Sequence, residues 1–152
     1  MPASVVIVLD HVATLVREKG HTLVIDAPAT LPDVALDRQL CRQALLNLVS
    51  NAIKYTPPGG RIDVRITHDG DVLRWSIRDS GIGIPKAARH RLFERFYRAE
   101  NAVTLDTEGT GLGLYLVRLI VERFGGTIAC ESEEGQGTRF HVTLPIGAEP
   151  LL

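Results

Sequence analysis

Apolar and polar residues alternate along several short segments of the chain, and this two-residue period predicts β-strands. The alternation is regular over residues 61–68 and 138–144 and less strict over 71–78. Shorter apolar segments at 22–26 and 127–131 predict two further strands. The sequence therefore predicts five strands.

Other apolar residues recur at helical spacing, three or four positions apart. This spacing predicts four helices, over residues 8–19, 37–55, 86–96 and 111–124. The residues that we expect to face inward from the first helix are Leu9, Val12, Leu15 and Val16. Asp37 is the predicted N-cap of the second helix, and prolines and glycines at 57–60 end it.

Two turn sequences indicate how the strands pair. Asp69-Gly70 separates one pair of predicted strands, and the sequence E-G-Q-G at 134–137 separates another, so we expect two antiparallel hairpins. Helices mixed with hairpins favour an α+β fold, with a mostly antiparallel sheet covered by helices on one face. We expect residues 1–145 to form this single domain and 146–152 to form a flexible tail.

The composition is that of an ordinary globular domain. The chain has 152 residues, 45% of them hydrophobic, and a formal net charge of −1, which argues against a nucleic-acid-binding patch. The apolar run 5–9 is too short to span a membrane. Cys41 and Cys130 have no motif spacing, and the sequence favours two free thiols over a disulfide between them.

A glycine-rich sequence, G-T-G-L-G at 109–113, precedes the last predicted helix. Glycine lets a ligand approach the backbone closely, and the unpaired amides of a helix start attract anions. The spacing excludes both a P-loop and a dinucleotide-binding fingerprint. Either a phosphate site or a glycine turn without a ligand fits this pattern.

The helix that begins after Asp37 carries a second candidate site. Four apolar residues can face the sheet: Leu45, Val49, Ala52 and Ile53. Asn47, Asn51 and Lys54 fall on another stripe, where amide oxygens suit Mg²⁺ and an ammonium suits phosphate. A solvated polar stripe is the alternative interpretation.

Two further segments could contribute to a site. Asp79 ends a predicted strand in the sequence D-S-G-I-G-I-P, where its carboxylate could accept a hydrogen bond from the exocyclic amine of adenine. A turn aspartate would give the same pattern. The aromatic and basic residues of 91–98 could anchor the core or hold the polar segment 99–110, which has the composition of a lid.

The order of these motifs resembles that of sensor histidine kinases. The matching segments are N-L-V-S-N-A-I-K-Y-T (47–56), D-S-G-I-G-I-P (79–85), L-F-E-R-F-Y-R (92–98) and G-T-G-L-G-L (109–114). They are similar to the family's N box, first glycine box, F box and second glycine box. The resemblance implies the Bergerat ATP-binding fold, a two-layer α/β sandwich, with ATP and Mg²⁺ as ligands.

The resemblance also implies roles for the matching residues. Asn51 would be the principal Mg²⁺ ligand, and Asn47 would support the metal and the phosphates. Lys54 would lie near phosphate, Tyr55 against the adenine face, and Asp79 on the adenine amine.

The remaining matched positions would complete the pocket. Gly81, Gly83 and Ile84 would lie around the base. Arg98 would approach the phosphates, and with Asn47 and Lys54 it makes up the expected catalytic set. The lid hinge and the start of the phosphate-binding helix would be formed by Gly109, Thr110, Gly111, Leu112, Gly113 and Leu114.

The family's phosphoacceptor histidine has no match in this sequence. None of the five histidines is followed by the acidic residue and R-T-P-like run of that motif. We therefore expect the catalytic part of a longer kinase, which transfers the γ-phosphoryl of Mg-ATP to a histidine of a separate dimerisation domain and acts on a response regulator indirectly. We expect a cytoplasmic monomer without nucleic-acid or direct membrane contact, whose parent protein could itself be tethered to a membrane.

Asn47 separates this expectation from its alternatives. Related ATPases that hydrolyse ATP carry a glutamate at this place to activate water, and an amide cannot accept that proton. An anti-sigma-type serine kinase or switch module of the same superfamily is the first alternative, although such proteins usually carry the glutamate and lack L-F-E-R-F. A degenerate module without nucleotide is the second, which the polar set Asn47, Asn51, Lys54 and Asp79 disfavours.

Overall fold

The structure is a computed structural model that describes residues 12–28, 37–95, 97, 99 and 113–145. Its helices are α1, described over 12–19, α2 (Arg38–Lys54) and α3 (Gly113–Arg123), with a 3₁₀ helix at Lys86–Arg91. Its strands are β1 (Thr22–Asp26), β2 (Arg61–Asp69), β3 (Val72–Asp79), β4 (Thr127–Glu133) and β5 (Gly137–Pro145).

The five strands form one mixed sheet in the order β1-β2-β3-β5-β4. β1 runs parallel to β2, and every other neighbouring pair is antiparallel. Both predicted hairpins are present. In the first, Asp69 pairs with Val72 around Gly70, whose φ of +57° is a conformation that favours glycine. The predicted α+β fold with a mostly antiparallel sheet is confirmed.

Helices α2 and α3 pack against each other and against one face of the sheet. Asp37 caps α2 as predicted, because its Oδ1 accepts hydrogen bonds from the amides of Gln39 (2.9 Å) and Leu40 (3.2 Å). The apolar residues that α2 buries are Ala44, Leu45, Leu48, Val49, Ala52 and Ile53. The four positions predicted to face the sheet are among them, and each such aliphatic side chain larger than alanine contributes about 1.5–3 kcal/mol by leaving water.

Two predictions about helices were wrong. In α1, Val12 and Val16 are buried but Leu15 is 43% exposed, because it lies beside the row formed by the two valines. The helix predicted over 86–96 is a 3₁₀ helix that ends at Arg91.

The hydrogen bonds of this second segment explain the difference. The amides of Ala88, Leu92 and Glu94 each bond to the carbonyl three residues earlier, which is the 3₁₀ pattern. Ala88 and Leu92 are buried while Lys86, Arg91 and Glu94 are exposed, so short turns suffice to dock the segment.

Two further findings concern the cysteines and the lengths of the helices. Cys41 and Cys130 are both free thiols, as predicted. Within the described ranges, no helix is both long and apolar enough to cross a membrane.

Candidate functional site

A buried carboxyl group lies at the end of β3. Asp79 is only 7% exposed, and its Oδ1 accepts a hydrogen bond of 2.9 Å from the amide of Gly81. Burial raises the pKa of Asp79 to about 6, while hydrogen bonds from the backbone amides of Gly81 and Thr138 and the proximity of His21 act in the opposite direction. The fold thus keeps a hydrogen-bonding carboxyl group in an apolar setting, where a partner is worth more than in water.

Gly81 lies where the end of α2 meets the end of β3. A side chain at this position would overlap the carbonyl oxygen of Tyr55 and would come within 2.8 Å of Asp79 Oδ1 and 3.0 Å of Thr56 Oγ1. Thr56 is fully buried, and its hydroxyl donates to the carbonyl of Ala52 at 2.7 Å. The structure therefore brings together three residues predicted for the site, namely Tyr55, Asp79 and Gly81.

The segment after Gly81 is fixed from both sides. The amide of Ile82 donates to the carbonyl of Tyr55 (3.1 Å), and the amide of Gly135 donates to the carbonyl of Ile82 (2.7 Å). Gly83 has a φ of +68°, and a side chain there would overlap the carbonyl of Glu133. The close approach of the β4–β5 hairpin thus requires a glycine at position 83 even without a ligand.

Two buried hydroxyl groups connect this segment to the hairpin. Ser132 Oγ accepts a hydrogen bond from the amide of Ile84 (2.8 Å), donates to the carbonyl of Gly137 (2.8 Å) and lies 2.9 Å from Thr138 Oγ1. Ile84 is part of the hydrophobic core. Sequence reasoning missed Ser132 and Thr138, yet both are polar residues at inward positions of apolar alternations, which is a usable signal.

The polar stripe of α2 lies away from the core. Asn47, Asn51 and Lys54 are all half-buried, whereas the apolar residues between them are fully buried. Within the described part of the chain, the side-chain amides of Asn47 and Asn51 have no hydrogen-bond partner. Their oxygens remain available to a hard cation, and their nitrogens to an anion.

The segment after the 3₁₀ helix is anchored by its aromatic residues. Phe93 packs edge-to-face on Phe140, with ring centroids 6.2 Å apart. The guanidinium of Arg95 lies 5.8 Å from the ring of Tyr115 in α3, and that of Arg91 lies 4.4 Å from the ring of Tyr97. These contacts support the core-anchor interpretation of this segment and connect it to the start of α3.

The described residues include only the end of the predicted lid and phosphate loop. Gly113 begins α3, and no atom of the described residues packed around it lies within 4 Å of where its side chain would be; Leu114 is half-buried. The remaining predicted residues lie outside the described ones: Arg98, Gly109, Thr110, Gly111 and Leu112.

Comparison with known proteins identifies the family. The model of the histidine kinase-, DNA gyrase B- and HSP90-like ATPases matches residues 36–148. The adaptive-response sensory kinase SasA of Rippkaea orientalis (strain PCC 8801 / RF-1) is 42% identical over 140 residues, which cover 91% of this chain and 35% of SasA. The chain thus spans about a third of that relative's length.

Two solved structures are similar over nearly the whole chain. The mycobacterial sensor histidine kinase MprB has a TM-score of 0.79 at 32% identity and covers 97% of each chain. Full-length ShkA in complex with AMPPNP has a TM-score of 0.81 at 30% identity, covering 97% of this chain and 30% of ShkA. Together with the ordered motifs, these matches show that the chain belongs to the histidine kinase-, DNA gyrase B- and HSP90-like ATPase family, as an ATP-binding domain of the sensor histidine kinase type.

Proposed function

We propose that this domain binds Mg-ATP and transfers its γ-phosphoryl group to a histidine on a separate dimerisation domain. The observation that carries the proposal is the buried Asp79 carboxyl group, which the fold retains beside Gly81 at the end of α2 despite the cost of burial. A carboxyl group with a perturbed pKa, beside a glycine whose position leaves no room for a side chain, is typical of a binding site.

Asp79 would select the base. Its carboxylate is an acceptor, and the exocyclic amine of adenine is a donor, whereas guanine presents a carbonyl at the corresponding position. The segment held by Tyr55 would border the same pocket, with Gly81, Gly83 and Ile84 around the base.

The α2 stripe would hold the phosphates and the metal ion. The amide oxygen of Asn51 is a suitable ligand for Mg²⁺, which usually keeps several waters and also binds substrate phosphates, so the residues present fit this ion. Asn47 would support the same group, and Lys54 would supply a positive charge. Bound Mg²⁺ offsets the negative charge that develops on the transferring phosphates.

The proposed lid completes the pocket. Arg98 would approach the phosphates, and Gly109, Thr110, Gly111, Leu112, Gly113 and Leu114 would form the hinge and the helix start that receives them. Residues 1–145 would form this domain, with 146–152 as a tail.

The proposed reaction breaks the bond between the γ-phosphorus and the β–γ bridging oxygen and forms a bond to an imidazole nitrogen of the acceptor. ADP leaves with the bridging oxygen. A neutral imidazole is already a nucleophile, so the site needs positioning and positive charge rather than a base. Asn47, Lys54 and Arg98 would supply these, and the amide of Asn47 disfavours activation of water.

The partner is the histidine-bearing domain of the parent kinase, with a response regulator as the indirect recipient of the phosphoryl group. We place the domain in the cytoplasm, where ATP is abundant, as a monomer. The anti-sigma-type serine kinase remains the alternative, and the identity of the phosphorylated residue separates the two.

The direct test uses labelled ATP and the dimerisation domain of the parent kinase, mixed with this chain. We expect acid-labile phosphohistidine on the partner, reduced at least about tenfold by Asn51→Ala. An acid-stable phosphoserine would favour the alternative. Tight ATP binding with no transfer to the cognate histidine domain would contradict the proposal.

A further inference from the structure

The chain between α1 and β1 contacts the end of α2 through a lysine. Lys19 Nζ donates hydrogen bonds of 2.8 Å to the carbonyls of both Ile53 and Lys54. These carbonyls belong to the last turn of α2, where helix carbonyls have no partner within the helix. An ammonium group here also complements the partial negative charge of the helix end.

A buried histidine continues this contact. His21 is 8% exposed, and its Nε2 lies 2.7 Å from the carbonyl of Thr56 and 3.1 Å from that of Pro57. Both neighbours are acceptors, so Nε2 carries the proton. The other ring nitrogen is buried and has no hydrogen-bond partner among the described residues. The histidine thus contributes a single directed donor, aimed at the chain that leaves α2.

Backbone hydrogen bonds close the same connection. The amide of Gly59 donates to the carbonyl of Gly20 (3.2 Å), and the amide of Thr22 donates to the carbonyl of Gly60 (2.9 Å). Four consecutive residues, 19–22, therefore hold the chain from 53 to 60, and we name them the 19–22 clasp.

The chain that the clasp holds is also a wall of the candidate site. The carbonyl of Tyr55 accepts a hydrogen bond of 3.1 Å from the amide of Ile82, and the same carbonyl leaves no room for a side chain at Gly81. Thr56 Oγ1 would lie 3.0 Å from such a side chain. The electrostatic effect of His21 also acts to lower the pKa of Asp79. A shift of Tyr55 and Thr56 would therefore move the surroundings of Asp79.

We propose that Lys19 and His21 are positioning residues of the nucleotide site, which fix Tyr55 and Thr56 and thereby set both ATP affinity and the preference for adenine. This inference depends on the proposed function, because it assigns the clasp to the same pocket. Neither residue needs to touch the nucleotide, since each acts through the backbone carbonyls at the end of α2.

The test compares His21→Leu, which removes the donor, with His21→Gln, whose side-chain amide can restore it. His68→Leu is the matched control, because His68 is exposed near the β2–β3 turn. Calorimetry gives the affinities for ATP and GTP, corrected for the folded fraction measured by circular dichroism. Hydrogen exchange of the Ile82 amide reports the position of the Tyr55 carbonyl.

We expect His21→Leu to weaken ATP binding by the folded protein about tenfold and to reduce the ratio of its affinity for ATP to its affinity for GTP. The Ile82 amide should exchange faster, His21→Gln should recover most of the affinity, and His68→Leu should bind as the unaltered chain does. Lys19→Met should weaken ATP binding about threefold, and it decides the question if His21→Leu does not fold.

Unchanged affinity and base preference in folded His21→Leu or folded Lys19→Met, with only a lower melting temperature, would overturn this inference and show a purely structural role. If the unaltered chain bound ATP no better than GTP, the proposed function itself would fail. The two failures are therefore distinguishable.

Discussion

The buried carboxyl group of Asp79 should make the domain less stable while it makes nucleotide binding possible. Its pKa rises from an ordinary 3.8 to about 6 in the folded protein, chiefly because burial disfavours the charge. A folded-state pKa above the unfolded one means that the folded protein binds the proton more tightly. The stability that protonation of Asp79 contributes is therefore complete below pH 3.8 and is lost as the pH rises through about 6.

The separation of these two pKa values sets the magnitude of the effect. It corresponds to a loss of at most about 3 kcal/mol in the free energy of unfolding when Asp79 is ionised at pH 8. Asp79→Asn removes the charge but keeps one oxygen for the amide of Gly81, the stronger of the two backbone donors to Asp79, the other being the amide of Thr138. We expect this variant to gain about 1–3 kcal/mol in its free energy of unfolding at pH 8 and nothing below pH 4.

The same substitution should impair nucleotide binding. With the asparagine oxygen held by the Gly81 amide, its NH₂ group takes the position of the other carboxylate oxygen, so that a donor would face the adenine amine. We expect ATP affinity to fall about 100-fold, because the NH₂ group of asparagine and the adenine amine are both donors and neither would have an acceptor in the buried site. The variant would thus be more stable and less functional.

Urea unfolding between pH 4 and 8 measures the first effect, and calorimetry with AMPPNP measures the second. The control is Asp69→Asn, because Asp69 is 86% exposed and 3.9 Å from Arg74, a pair of little energetic value. A destabilised Asp79→Asn at pH 8, or one that binds AMPPNP normally, would refute the reasoning.

Three further predictions follow from the site and the core. Asn51→Ala should abolish most of the Mg²⁺-dependent part of ATP affinity but leave metal-free binding intact, and calorimetry with and without Mg²⁺ measures this; equal losses in both conditions would contradict the role of Asn51. Gly81→Ala should cost about 1–3 kcal/mol in urea unfolding because its side chain would overlap the Tyr55 carbonyl, whereas Gly113→Ala, whose side chain would meet none of the described residues, should not destabilise the domain. Leu48→Ala removes a fully buried side chain and should cost about 2–5 kcal/mol in the same assay, and a loss below 1 kcal/mol would contradict its place in the core.

The two-residue period of the strands and the turn sequences were sufficient to predict the five strands and both hairpins, but not the strand order. Ile62, Val64 and Ile66 all point into the core. Their alternation fixes the register of β2, because a slip of one residue would expose all three side chains. Local pattern was less informative where packing decides. Leu15 fits the helical spacing of α1, yet nothing in the sequence shows that Val12 and Val16 meet the core while Leu15 does not.

The candidate site shows the same difference between contacts that are local in sequence and contacts that depend on packing. Ordered motifs pointed to Asp79 and Gly81, which contact each other only two residues apart in the sequence. Thr138 escaped notice because it is 59 residues away from Asp79 and becomes its neighbour only when β5 inserts between β3 and β4. His21 and Thr56 meet for a similar reason, since their hydrogen bond spans 35 residues. Contacts of this kind depend on strand order and helix packing, which periodicity does not encode.

A structure of this chain with Mg²⁺ and AMPPNP tests the central claim most directly. We expect the adenine amine within hydrogen-bonding distance of the Asp79 carboxylate, the base beside Gly81, and the metal ion on the amide oxygen of Asn51. A nucleotide bound elsewhere on the domain, or one whose base makes no contact with Asp79, would contradict it.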